Sequence, residues 1–198
     1  MKIRPANIET DLPRIVEITN PYESKPVTVE QMRAYFEYAP PGRVQLRLAA
    51  VDENDHVIGY SGCIHEVSVP DGHFITWVVV DPEYRRQGVG TALWEACLGF
   101  LQEKGATRLT SDVLDHDPVG LAFAEKCGFA IDRHSFGSSL DLVSFDETPY
   151  LPGIATLAAQ GIRFCALADF PHTPETLRQL YDLNAATVLD IPGNDSLP

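Results

Sequence analysis

Arg85 and Arg86 stand next to each other, and Gly88 and Gly90 follow at once, led by Gln87 and separated by Val89. Ahead of them run Val78, Val79 and Val80; behind them, from Thr91 on, apolar residues recur at helical spacing. A strand end, glycines and a helix start in succession make a cradle for phosphate groups. The first turn of a helix has backbone N–H groups without intrahelical partners and a partial positive charge. At Gly88 and Gly90 the missing Cβ lets an oxygen-rich ligand approach the main chain. Arg85 and Arg86 add full charge just outside, and Thr91 places a hydroxyl on the first turn. Two glycines alone would read as a relieved turn. With paired arginines, a buried strand before and an amphipathic helix after, the spacing predicts a polyphosphate site.

Such a loop needs a strand to deliver it and a helix to close it. Leu93, Cys97 and Leu101 fall at i, i+4 and i+8, with Trp94 and Leu98 beside them, and Lys104-Gly105 ends the run. The stretch 107–114, TRLTSDVL, reads as the next strand, so 77–114 is a right-handed crossover between parallel neighbours. Upstream, an extended start at Lys2 leads to a helix carrying Leu12, Ile15, Val16 and Thr19 on one face behind Glu9 and Asp11. A second helix, 28–39, has Thr28 as its cap and Met32, Tyr35 and Phe36 on a face, and stops at Pro40-Pro41-Gly42. The runs 43–51 and 56–69 form an antiparallel hairpin across a polar turn, and 73–80 continues the sheet. Downstream, DPVGLAFAEKCGF is a helix with Asp117 as N-cap, Pro118 at its first position and Gly128 as its stop; FGSSLDLVSF, 136–145, is expected as a last strand. The fold class is α/β (α+β): a mixed, mostly antiparallel sheet flanked by helices.

The 198 residues suit one main core. The expected domain covers 1–145, and an extension covers 146–198. The extension opens on a Pro-containing linker, carries seven acidic and two basic residues, and offers a helical patch at 154–160, an extended 161–167 and a helix at 174–184. Ile3-Arg4 with its following helix is weakly echoed by Ile162-Arg163 with Leu177, Leu180, Tyr181 and Leu183, as if a second copy of the domain began there. So short a piece seldom stands alone, and an extended 161–167 would need a partner, so a homodimer through the extension is one expectation.

The formal charge is −13, from 15 Lys and Arg against 28 Asp and Glu. Long-range repulsion of that sign argues against nucleic acid and anionic membrane surfaces as partners, and favours a cationic acceptor in a general way. There is no membrane-length apolar run and no charged-then-apolar leader at Met1, so a cytoplasmic location is expected. Cys63, Cys97, Cys127 and Cys165 are widely separated with no CxxC pair, which suits reduced, buried thiols better than a metal site. Asp115, His116 and Asp117 crowd one turn without convergent geometry, so no metal is expected there either.

VDPEYRRQGVGTAL resembles the acyl-CoA pyrophosphate loop of the GNAT superfamily of N-acetyltransferases, whose motif is Gln or Arg, two residues, Gly, one residue, Gly or Ala. Arg85, Gly88 and Gly90 match it in order, and the helix ending in Gly128-Phe129 is similar to the family's second landmark. The resemblance covers about three quarters of the chain. It implies acetyl-CoA as cosubstrate, an amine acceptor, and a sheet that splays between its two parallel strands to hold the pantetheine arm. The arm would bond the main chain of Val78, Val79 and Val80, while Asp117 would stand where the family often has an Asn that contacts it.

Acetyl transfer to an amine needs a neutral amine, a polarised carbonyl and a proton for the departing thiolate. The resemblance puts a strand amide near Val78 or Val80 on the carbonyl. It puts the proton donor at a tyrosine whose matching position here is Ala124, so the acid must be water or a residue from elsewhere, with Tyr22 and Tyr60 as candidates. Family members with a base on the strand before the loop have it where this chain has Phe74 and Thr76. The nearest ionisable groups are His65, Glu66 and His73, and Glu66 and His73 are favoured as bases acting through water. The alternative function is a catalytically weak acyl-CoA sensor or assembly subunit, motivated by Ala124 and the missing strand carboxylate. A dinucleotide-binding reading of Gly88 and Gly90 with Asp112 fits less well: the third fingerprint glycine is Leu93, and antiparallel strands precede the unit.

Overall fold

A computed structural model describes residues 1–190 other than 24, 39, 67 and 68. The described residues divide into two compact units, Met1–Ala130 and 131–190.

In the first unit five strands run in sequence order across one sheet: β1 (Lys2–Pro5), β2 (Val44–Val51), β3 (Val57–His65), β4 (His73–Val80) and β5 (Arg108–Thr110). The first three pairings are antiparallel, and β4 with β5 is parallel. Consecutive residues of β2 divide between the two sheet faces, as period-two alternation requires. Ala49 and Val51 pack with Leu12, Ile15, Ile18, Phe36 and Tyr60 under helices α1 (Ile8–Thr19) and α2 (Val29–Glu37). Leu48 and Ala50 pack with Ile58, Val89, Leu93 and Cys97 under α3 (Val89–Glu103). A smaller cluster of Cys63, Phe74 and Leu101 closes the end of the sheet near β5.

The caps explain where the helices start. Asn7 accepts the Glu9 N–H at 2.8 Å, two residues ahead of the expected acidic start, and Thr28 forms a reciprocal box with Gln31. α4 (Pro118–Lys126) begins behind Asp117, which accepts the Gly120 N–H at 3.1 Å, and both α3 and α4 stop at glycines with positive φ, Gly105 and Gly128. The expected reach of the second helix to Ala39, and of the third strand through Val67 and Ser68, lies outside the described residues.

Two expectations change. β5 is only three residues long, because it pairs with β4 at His73–Ile75 alone and residues 111–114 leave the ladder. The expected strand at 136–145 is absent: no strand follows β5 among the described residues, and Phe136 and Val143 are 90% and 98% exposed. Alternating apolar residues make a strand only where an edge receives them.

The second unit holds α5 (Leu151–Ala159) and α6 (Pro174–Thr187), the latter capped by Thr173. None of its described residues is buried, and 161–167 contains no strand, so the Ile162-Arg163 echo of β1 does not extend to structure. Among the described residues no helix is long and apolar enough to cross a membrane.

Candidate functional site

The short β4–β5 ladder makes the site. Beyond Ile75 the edge of β4 on the β5 side is released from pairing, and Thr76 holds the fork by donating its hydroxyl to the Thr110 carbonyl at 3.3 Å. On their other edge Val78, Val79 and Val80 remain paired to β3. Their side chains divide between the two faces, Val79 toward the α1 and α2 core and Val78 with Val80 toward α3. The strand is therefore fixed while its row of backbone groups on the β5 side is free of strand pairing.

A cleft of about 560 Å³ opens on this edge. Val78, Val79 and Val80 form one wall; Arg85, Arg86, Gly88, Gly90 and Thr91 form its end; Asp117, Gly120, Phe123 and Lys126 of the α4 region form the other wall, and Tyr22 joins the rim. The expected loop and strand residues thus meet in one place. Gln87 and Val89 contribute otherwise. Gln87 turns back to donate to the Glu83 carbonyl at 2.9 Å, and the Val89 side chain is buried in the α3 core, leaving only its N–H at the helix start.

The two glycines serve different needs. Gly88, the N-cap of α3, has φ +86°, a left-handed conformation that disfavours side chains, although a Cβ there would meet nothing within 4 Å. At Gly90 a Cβ would stand 3.5 Å from Phe123 and from Val80, both of which line the cleft, so the missing side chain keeps that part of it open. No side chain caps the first turn of α3, and the first intrahelical bond, Ala92 N–H to the Gly88 carbonyl, lies one turn in. The N–H groups before it are a ready anion seat. Arg85, which lines the same cleft, is held by two contacts: its Nε donates to the Val80 carbonyl at 3.3 Å, and its guanidinium lies 5.2 Å from the Tyr22 ring centre. Asp117 both caps α4 and lines the cleft. The cleft is thus a cationic, amide-lined slot leading from a helix N-terminus along an open strand edge.

A model of the acetyltransferase (GNAT) family matches residues 12–129, more than half of the chain. The chain belongs to that family. The match takes in β2 to β5, the loop and α4, and makes this GNAT chain an acyltransferase. No curated protein matches the sequence. Solved GNAT structures resemble the fold. A phosphinothricin acetyltransferase from Sinorhizobium meliloti, in complex with AcCoA, is 23% identical with a TM-score of 0.54, over 64% of this chain and 73% of that one. An aminoglycoside antibiotic 6'-N-acetyltransferase from Acinetobacter haemolyticus is 20% identical with a TM-score of 0.54, over 71% of this chain and 100% of that one. A ribosomal-protein-alanine N-acetyltransferase from Brucella melitensis is 19% identical with a TM-score of 0.55, over 65% of this chain and 83% of that one. The GNAT fold, with its mostly antiparallel sheet and one parallel pair, is as the loop motif implied.

The expected proton-handling residues are not gathered in the cleft. Glu66 is tied to Arg43 in an ion pair, and neither residue lines the cleft. His73 starts β4, five residues before Val78, about 16 Å along the strand and beyond direct hydrogen-bond reach. Burial, then the nearby charges of Arg108 and His65, hold its imidazole below the ordinary histidine value, and its Nε2 meets the Thr110 hydroxyl at 3.1 Å. Tyr60 is buried, takes a hydrogen bond from Arg47 at 3.0 Å, and is pushed up by burial. Of the candidate hydroxyls on tyrosine, Tyr22 alone lines the cleft. Lys126 is a third cation there that the motif does not announce; its one signal in the sequence is a place on the helix after the landmark Asp117.

Proposed function

We propose that this GNAT chain transfers an acetyl group from acetyl-CoA to a primary amine, and that the cleft beside β4 is the coenzyme site. The observation that carries the reading is the junction of an uncapped helix N-terminus with a released strand edge, with Gly90 leaving the junction open. Two of the similar structures are N-acetyltransferases by name, which supports nitrogen as the acceptor atom. In the reaction the neutral amine attacks the thioester carbonyl carbon, a C–N bond forms, the C–S bond breaks, the amine loses a proton and the thiolate gains one.

The chain's residues divide this work. The N–H groups of Gly88 to Thr91, with Arg85, Arg86 and Lys126, hold the diphosphate. Backbone groups of Val78 and Val80 on the released edge hold the pantetheine arm and polarise the carbonyl, whereas those of Val79 face β3. Tyr22 supplies the thiolate's proton, being the phenol at the rim. The amine's proton leaves through water, with His73, whose imidazole its surroundings hold below the ordinary histidine value, as the base at the far end of β4.

Thermal shift with acetyl-CoA, CoA and ATP, followed by thiol release against an amine panel, tests the proposal. Stabilisation by both CoA species and not by ATP, with amine-dependent thiol release, is the expected result. CoA binding with no release on any amine would instead favour the sensor reading.

A further inference from the structure

Opposite α3, on the sheet face that α1 and α2 cover, lies a cluster the transfer of acetyl does not by itself require. Alternate residues of the β2 region, Arg43, Gln45 and Arg47, face Glu66, Tyr60 and Trp77 of the neighbouring strands. Arg47, Gly62 and Trp77 form one cross-strand row. A Cβ on Gly62 would come within 2.5 Å of the indole, so the glycine lets the Trp77 ring lie across β3 toward Arg47.

Two arginines lie here, and one of them is ion-paired with a carboxylate. Arg43, its side chain 2% exposed, is ion-paired with Glu66 and donates to the Tyr38 carbonyl, yet its Nε has no partner. Among the described residues Arg47 meets no carboxylate. It donates to the Tyr60 hydroxyl at 3.0 Å and to Gln45 Oε1 at 3.3 Å, while its guanidinium carbon lies 3.9 Å from the Phe36 ring centre and 5.0 Å from that of Tyr35. Its Nε is buried without a partner, and the Trp77 indole N–H, near the Tyr60 hydroxyl, makes no hydrogen bond of normal geometry. All three orphan groups are donors, and a buried donor is costly until an acceptor meets it. The cluster is not sealed: Tyr35 is 44% exposed and Ile75, on the same face of β4, is 37% exposed.

Its position ties it to the reaction. Trp77 immediately precedes Val78, and Arg47 is two strands from β4 in the same row, roughly 10 Å away. The net charge of −13 opposes an anion at long range, but screening over about 8 Å leaves a nearby, partly buried guanidinium in control.

We propose that Arg47, flanked by Arg43 and Trp77, binds an anionic group on the acceptor, so that the acceptor is an amine carrying a carboxylate or phosphonate, of amino-acid size. The proposal rests on the acetyltransferase reading and reverses the general expectation of a purely cationic acceptor. Arg47 is here a specificity residue that touches the acceptor and not the coenzyme.

The test compares thiol release from acetyl-CoA with the common L-amino acids, their carboxamides, 2-aminoethylphosphonate, propylamine and spermidine, for the wild-type chain, Arg47→Gln and Arg47→Lys. The expected result is turnover of at least one anionic amine with kcat/KM about tenfold to a hundredfold above its uncharged counterpart. Arg47→Gln should erase that preference by raising the acceptor KM, Arg47→Lys should restore part of it, and the acetyl-CoA KM should stay unchanged in both. A preference for phosphonate over carboxylate would identify the anion. Equal or better turnover of carboxamides, propylamine or spermidine, or no turnover of any anionic amine, would overturn the proposal. Loss of the acetyl-CoA thermal shift in the wild-type chain would instead sink the acetyltransferase reading beneath it.

Discussion

The Arg85 guanidinium rests 5.2 Å from the centre of the Tyr22 ring, joining the segment between α1 and α2 to the loop after β4, more than sixty residues away. The ring packs against the charge, and both residues line the cleft that the first turn of α3 borders.

Two substitutions separate these roles. Tyr22→Phe keeps the ring beneath Arg85, so the acetyl-CoA KM is expected to hold while kcat falls about a hundredfold if the hydroxyl protonates the thiolate. Tyr22→Ala should raise the coenzyme KM as well. Steady-state kinetics checks both, and an unchanged kcat in Tyr22→Phe would assign the proton to water.

Gly90 and Gly88 should fail differently. Gly90→Val places methyl groups in the cleft between Val80 and Phe123, so titration calorimetry is expected to show CoA affinity reduced at least about tenfold with little change in melting temperature. Gly88→Ala forces a side chain into φ +86° and should cost about 1–2 kcal/mol of stability, while Gly88→Asn, which tolerates that region better, should cost less.

His73 should matter little. A directly placed base contributes about a hundredfold or more, and this imidazole stands some five residues from Val78. His73→Gln is expected to lower kcat less than about tenfold, and a hundredfold loss, with disappearance of an acid limb from the pH–rate profile, would assign it the direct role.

Acid stability turns on Asp11. Burial favours its neutral form, but hydrogen bonds from Arg4 at 2.6 Å, from the Asn7 N–H at 2.7 Å and from Thr10 at 3.1 Å outweigh burial and hold the carboxyl below its ordinary value. A depressed carboxyl stabilises the fold above the unfolded-state value, about 3.9, and that contribution is lost as pH falls through the folded one. Asp11→Asn is expected to cost about 3 kcal/mol at pH 7 and to flatten the fall in stability below about pH 4, measured by urea unfolding across pH.

The four thiols should react in order of exposure. Cys165 is exposed and Cys127 half-buried, whereas Cys63 and Cys97 are buried and burial pushes Cys63 up to about 12. Mass spectrometry after brief maleimide treatment is expected to find Cys165 modified first and Cys63 and Cys97 only in denaturant.

What could be read from the sequence was local. Asp117, Pro118 and Gly128 announce α4, Thr28 announces α2, and Arg85, Gly88 and Gly90 announce the loop that ends the cleft, because caps, φ requirements and charge act within a few residues. The row Arg47, Gly62, Trp77 was not legible, since it exists only once β2, β3 and β4 adopt one register. Nor was the proximity of Tyr22 and Lys126 to the loop, which depends on how α1, α4 and the sheet pack. The pattern at 136–145 misled for the opposite reason: its alternation is real, but whether a neighbour receives it is a tertiary fact.

The three-residue union of β4 and β5 leaves the sheet half-zipped. A coenzyme seated along Val78 to Val80 would serve as the missing rungs, so occupancy and mechanical integrity become one quantity: each gain in coenzyme affinity appears as resistance to unfolding. Amide exchange along that released edge would then slow as the coenzyme binds.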